Sequence, residues 1–146
     1  MKNHFKEIIQ KHLDQLAGEI NAYENECMLW ELRPGISNCA GNLALHLVGN
    51  LNHFIGAQLG NTGYVRERDK EFSEKNVQRQ NIVEKIEATK IMIGNTFDQL
   101  DDKRLQDVFP LPHFGEGKTT HEVLLVLLTH FNYHLGQINY HRRLIK

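Results

Sequence analysis

Apolar residues recur at three- and four-residue steps over most of this chain, the spacing of one face of an α-helix. Phe5, Ile9, Leu13, Leu16, Ile20 and Tyr23 form the first such stripe and predict a helix over most of residues 1–30. Arg33-Pro-Gly breaks it, and Ser37 or Asn38 stands where a side chain could cap a second helix running to Leu59. Gly60-Asn-Thr-Gly then opens a connection that becomes strongly charged and reads as a crossing over the surface. Ser73 is the predicted cap of a third helix, in which Ile82, Ile86, Ile93, Phe97 and Leu100 keep helical spacing until Asp101-Asp102 ends the pattern.

Between Asp101 and Lys118, Pro110, Pro112, Gly115 and Gly117 exclude a continuous helix and leave room for a short helical turn near Lys103 to Val108. Thr119-Thr-His-Glu122 fits a capping box, in which Thr119 and Glu122 satisfy each other's free N–H groups, so the last helix is predicted from Thr120 to Leu144. Four long amphipathic segments, without an alternating strand pattern or an internal repeat, predict an all-α fold: a four-helix bundle with long connections. A length of 146 residues suits one domain over 1–146 that buries its own core. Connections this long permit either neighbours or diagonals, which leaves the spatial order of the helices open.

The histidines change the picture. There are nine, so chance alone supplies roughly half an HxxxH pair, and that pattern alone is weak. Context raises His130 and His134, which lie one turn apart, about 6 Å along a helix, in the apolar run Leu124-Leu-Val-Leu-Leu-Thr-His130-Phe-Asn-Tyr-His134. Buried imidazoles need partners, and a metal ion is one. His46, flanked by Leu45 and Leu47, is the natural third ligand. It lies about 12 Å into its helix, and the pair about 15–21 Å into theirs, so all three reach mid-bundle whichever way the helices run. Three nitrogens with one position left open make the arrangement of a catalytic rather than a structural divalent-metal site. Imidazole suits zinc, nickel, copper and iron alike, and zinc or nickel is the expectation.

The alternative is three core histidines bonded to carbonyls or to amides such as Asn50 and Gln137. His53 lies on the same face as His46 but about 10 Å along, too far to share the ion easily. His141 sits in a basic helix end, where positive side chains suit the C-terminus, and His4, His12, His113 and His121 read as solvated. His113 alone could close over a pocket with its loop. The run Arg66-Glu-Arg-Asp-Lys-Glu71 reads as a solvated connection with locally paired charges.

Charge and cysteines narrow the partners. With 17 basic and 18 acidic residues the net charge is -1, which recruits neither nucleic acid nor an anionic membrane. Cys27 and Cys39 have no metal-ribbon or redox spacing. No segment resembles a signal peptide or is long enough to span a bilayer, so a reduced, cytoplasmic protein is expected. HExxH, glycine-rich phosphate loops, GxSxG elbows and paired ExxH segments do not occur.

Asn42-Leu-Ala-Leu-His46-Leu and Thr129-His130-Phe-Asn-Tyr-His134-Leu-Gly-Gln137 resemble the DinB-like superfamily, and the resemblance covers nearly the whole chain. Arg66-Glu-Arg-Asp-Lys-Glu-Phe72 looks like one uncharacterised branch of it. The resemblance implies a four-helix bundle, often a homodimer, with a divalent metal on the three histidines that match His46, His130 and His134. Several members are similar to transferases or isomerases that use bacillithiol, mycothiol or glutathione.

The expected activity is therefore a metal-dependent S-transferase that joins a low-molecular-weight thiol to a small-molecule substrate. A metal-dependent hydrolase and a non-enzymatic metal-binding or stress-response module are the alternatives. No general base can be named; Asn50, His53 and Gln137 stand where they could orient ligands or touch substrate.

Overall fold

A computed structural model describes residues 1–145, and among them the regular structure is helical, with one isolated bridge between Val108 and Thr119. Helix α1 is Lys2–Asn21. Helix α2 begins as Ala40–Leu51, continues through a π-helical stretch, Asn52–Ala57, and ends in the turn Gln58–Gly60. A short α3, Arg68–Ser73, precedes α4, Arg79–Gln99, and α5, Thr120–Leu144. Short 3-10 segments cover Glu26–Trp30, Asp102–Gln106 and Pro112–Phe114. Among the described residues no helix is long and apolar enough to cross a membrane.

The predicted stripes face one core, in which Leu13, Leu16, Ile20, Ile86, Ile93 and Phe97 are fully buried. The box at the start of α5 forms as read: the Glu122 N–H donates to Thr119 Oγ1 and the Thr119 N–H to Glu122 Oε2. Other boundaries move. The first helix stops at Asn21 although its stripe runs on, because Tyr23 stays in the core after the chain has turned. Helix α2 starts at Ala40, with Ser37 and Asn38 left exposed and uninvolved in capping. Ser73 ends α3 rather than capping the next helix, since Asn76 takes a positive φ and the chain re-enters helix only at Arg79. The cap of α4 comes from far away in sequence: the Glu26 carboxylate accepts the Arg79 N–H.

Pairings along the helices order them in space. Helix α1 runs antiparallel to α4, joined by Lys6 to Asp98 and Lys90 to Asp14, and parallel to α5, with Phe5 beside His121, His12 stacked on Phe131 and Glu19 paired with Arg142. Helix α2 runs parallel to α4, where Asn52 bonds Thr89 and Gly60 abuts Thr96. It runs antiparallel to α5, so α1 lies diagonal to α2 and α4 to α5. Because α2 and α4 are parallel neighbours, the chain between them must return along the molecule. That return carries Arg66 and α3 across α2 at the level of His46. The Asn42 amide donates to the carbonyls of Glu71 and Glu74, closing the C-terminal end of α3.

His141, expected to complement the basic C-terminal end of the last helix, is buried. Its Nε2 donates to the Glu31 carbonyl at 2.8 Å, so its Nδ1 is the acceptor for the Tyr23 hydroxyl at 2.7 Å. Burial holds that hydroxyl well above the usual tyrosine range. Tyr23→Phe leaves a buried nitrogen without its donor and is expected to destabilise the fold by about 1–3 kcal/mol. Urea unfolding reads this as a lower midpoint at unchanged slope. A midpoint equal to that of the unsubstituted protein would show that the bond contributes nothing.

Candidate metal centre

Every residue of α2 from Ala40 to Leu51 is buried, so His46 lies inside the protein whichever side of the helix it occupies. Helix α5 presents His130 and His134 one turn apart, both half-buried. The three rings stand edge-on, with centroids 4.6–5.1 Å apart. His46 Nε2 lies 3.1 Å from His130 Nε2, and one ring nitrogen from each histidine falls within 4.8 Å of the others.

Groups outside the cluster set which nitrogen His46 and His134 offer, whereas His130 Nδ1 is buried without a hydrogen-bond partner among the described residues. Glu71 accepts from His46 Nδ1 at 2.9 Å and from Arg66 Nε and Nη2 at 2.9 and 2.8 Å. Burial pushes the Glu71 carboxyl up, but the bonds from His46 and Arg66 outweigh it and hold the group below the usual carboxylate range. An ionised carboxylate only accepts, so His46 Nδ1 donates to it and Nε2 is the nitrogen turned toward His130. Arg66 Nη2 also lies 3.3 Å from His46 Nδ1, but both are donors converging on Glu71 Oε1 rather than partners of each other. Gln137 Oε1, 2.7 Å from His134 Nδ1, fixes the second ring in the same way and frees its Nε2. Burial, with the charges of His134, His46, Arg66 and Arg68 adding to it, lowers His130 to about 4, and burial likewise lowers His134. Both are therefore neutral near pH 7, as metal ligands must be.

The structure corrects the reading of Arg66-Glu-Arg-Asp-Lys-Glu71 as a solvated run. Glu71 is 6% exposed, and the Arg66 side chain 10%. In composition these two inward residues look like their solvated neighbours, and only the returning connection brings them to His46. One signal lies in α2 instead: Gly49, i+3 from His46, where an added Cβ would run into the Glu71 carboxylate. A glycine in so apolar a helix marks a close approach. Phe72 completes the wall, its ring 4.9 Å from that of His46.

The other predicted residues fall in different places. Gln137 stands on His134. Asn50, one turn beyond His46, is buried and lies outside the three-histidine cluster. His53 lies in the π-helical stretch, half-buried, its ring edge against Phe54 and outside the three-histidine cluster. His113 is exposed but packs on Phe54. His12 is half-buried and stacked on Phe131, not solvated.

The donor set fits a divalent cation. Three imidazoles direct one nitrogen each into a volume no more than 4.8 Å across, and the 3.1 Å between His46 Nε2 and His130 Nε2 is about the spacing of two nitrogens sharing an ion at about 2.0–2.1 Å. Imidazole nitrogens alone suit zinc, nickel, copper and iron better than magnesium or calcium.

No curated protein matches this sequence. A family model does, and its match begins at the first residue of α1 and runs through all the elements that build the cluster. Because that match covers residues 2–146, the chain belongs to the family described as "Protein of unknown function (DUF1572)".

Proposed function

We propose that the chain is a DinB-like four-helix bundle that holds one divalent cation, zinc or nickel, on His46, His130 and His134 and serves as a thiol S-transferase. The observation that carries this reading is the convergence of one nitrogen from each of three imidazoles within 4.8 Å, two of the rings oriented from outside by Glu71 and Gln137. When bound, such an ion lowers the pKa of a coordinating thiol or water and leaves a position for it, because the protein offers three ligands rather than four.

The surrounding residues supply the rest. Glu71 makes His46 a stronger donor, and Arg66 keeps Glu71 ionised. Arg68, its guanidinium 5.2 Å from the Phe72 ring centre, has no carboxylate partner among the described residues and adds positive charge beside His130. That charge favours an anionic ligand such as a thiolate. A hydrolase would need a general base beside the three nitrogens, whereas Glu71 is committed to His46 Nδ1 and Arg66.

The test begins with zinc, nickel or cobalt loading followed by dialysis, where one ion per chain is expected to remain. The loaded protein is then assayed with glutathione, bacillithiol and mycothiol against monochlorobimane. Metal-dependent conjugation with at least one thiol is expected. Retained metal without turnover reduces the protein to a binding module, and a failure to retain metal overturns the reading.

A further inference from the structure

Beside His134 lies a second feature that the three-histidine reading does not use. An open cleft of about 480 Å³ runs between the segment preceding α2 and the C-terminal half of α5, and His134 and Gln137 form part of its wall. That volume falls within the range of sites for small organic molecules. Leu43, Tyr133, Tyr140 and Leu144 give the wall its apolar surface, and the Tyr133 ring stands edge-on to His134, centroids 5.2 Å apart.

Among the described residues, no aspartate, glutamate, lysine or arginine lines this cleft. His141 contributes a ring whose two nitrogens are already bonded to Tyr23 and Glu31. Among the described residues, the side chains of Ser37 and Asn38 have no hydrogen-bond partner, and Gln137 uses only its oxygen. The cleft therefore offers apolar surface, aromatic faces and a few neutral hydrogen-bonding groups. A charged ligand would lose hydration there without gaining a counter-ion. Another side of the cluster is the opposite: Arg68, its guanidinium 5.2 Å from the centre of the Phe72 ring that packs on His46, brings positive charge.

We infer that this cleft seats the uncharged, ring-bearing body of the substrate and presents its reacting end to the three-histidine centre past His134. The inference rests on the metal reading and adds a division of labour to it. The neutral electrophile lies on the His134 side, and the anionic thiol enters from the side of Arg68.

Hydroxamic acids separate the two ideas, since the chelating group reports on the metal and the substituent on the cleft. Cobalt-loaded protein is titrated with acetohydroxamic, benzohydroxamic and 4-carboxybenzohydroxamic acid, following the cobalt absorption bands. Benzohydroxamic acid is expected to bind at least about tenfold tighter than acetohydroxamic acid, for an added ring that leaves water. The carboxylated analogue should lose most of that gain. Replacing Tyr133 and Tyr140, 64% and 71% exposed and so outside the core, by alanine should narrow the ratio of benzohydroxamic to acetohydroxamic acid affinity several-fold. If cobalt and acetohydroxamic acid bind but the phenyl ring adds nothing, or the carboxylate is preferred, the cleft assignment fails and the metal centre stands. If cobalt does not bind, both fall.

Discussion

Replacing Glu71 by alanine is expected to destabilise the protein by about 3–5 kcal/mol and to weaken metal binding by about 10–100-fold. Both effects come from one carboxylate. It is the acceptor for two nitrogens of Arg66, and without it a nearly buried guanidinium is left unpaired. It is also the partner of His46 Nδ1, and without it the ring loses both its orientation and its tautomer. Glu71→Gln keeps an oxygen acceptor and gives up the charge, so its effects should be intermediate. The double variant Arg66→Met with Glu71→Leu removes the pair together and should recover much of the stability, because two apolar side chains avoid the desolvation cost of two ions. It should not recover metal affinity. Urea unfolding and competitive metal titration of the three variants read the two effects separately. An alanine variant as stable as the unsubstituted protein would show that Arg66 finds another partner.

His130→Ala is expected to reduce retained metal from one ion per chain to none and to change how the metal-free protein responds to acid. In the folded chain His130 is lowered to about 4 from an ordinary value of 6.5, with burial the leading cause. The unfolded chain therefore takes up a proton at a higher pH than the folded one. Stability from this residue is fully present above pH 6.5 and is lost as pH falls toward 4. The ceiling on the slope is about 1.4 kcal/mol per pH unit for one proton, and the half-buried ring should stay below it. Denaturation midpoints of metal-free protein at a series of pH values should show this decline, and the alanine variant should flatten it. A variant with the same acid profile as the unsubstituted protein would assign the decline to other groups.

Local spacing carried much of the fold, and particular residues show why. Thr119 and Glu122 lie three positions apart and satisfy each other, so the start of α5 needed nothing from the rest of the chain. Ser73 had the right chemistry for a cap and no helix to cap, while Glu26 caps α4 from 53 positions away. The Tyr23 stripe continued past the helix end because a periodic pattern records burial, and a chain that turns can still bury the next ring. The π-helical stretch at Asn52–Ala57 has no counterpart in the apolar pattern, since the hydrogen-bond register is a property of the folded backbone.

The candidate ligands divide in the same way. His130 and His134 were legible as a pair because helical rise places i and i+4 on one face, and His46 stood out because its neighbours are core residues. Nothing local could say that His46 Nε2 would come within 3.1 Å of His130 Nε2, since that distance depends on α2 and α5 packing as antiparallel neighbours. Glu71 and Arg66 were hidden for a related reason. A charge in a mixed run looks solvated until the return of the chain between parallel helices lays it against Gly49 and His46. Which residues can ligate follows from their chemistry and spacing along one helix. Which of them meet, in which tautomer and beside which cleft, follows from packing between helices far apart in sequence.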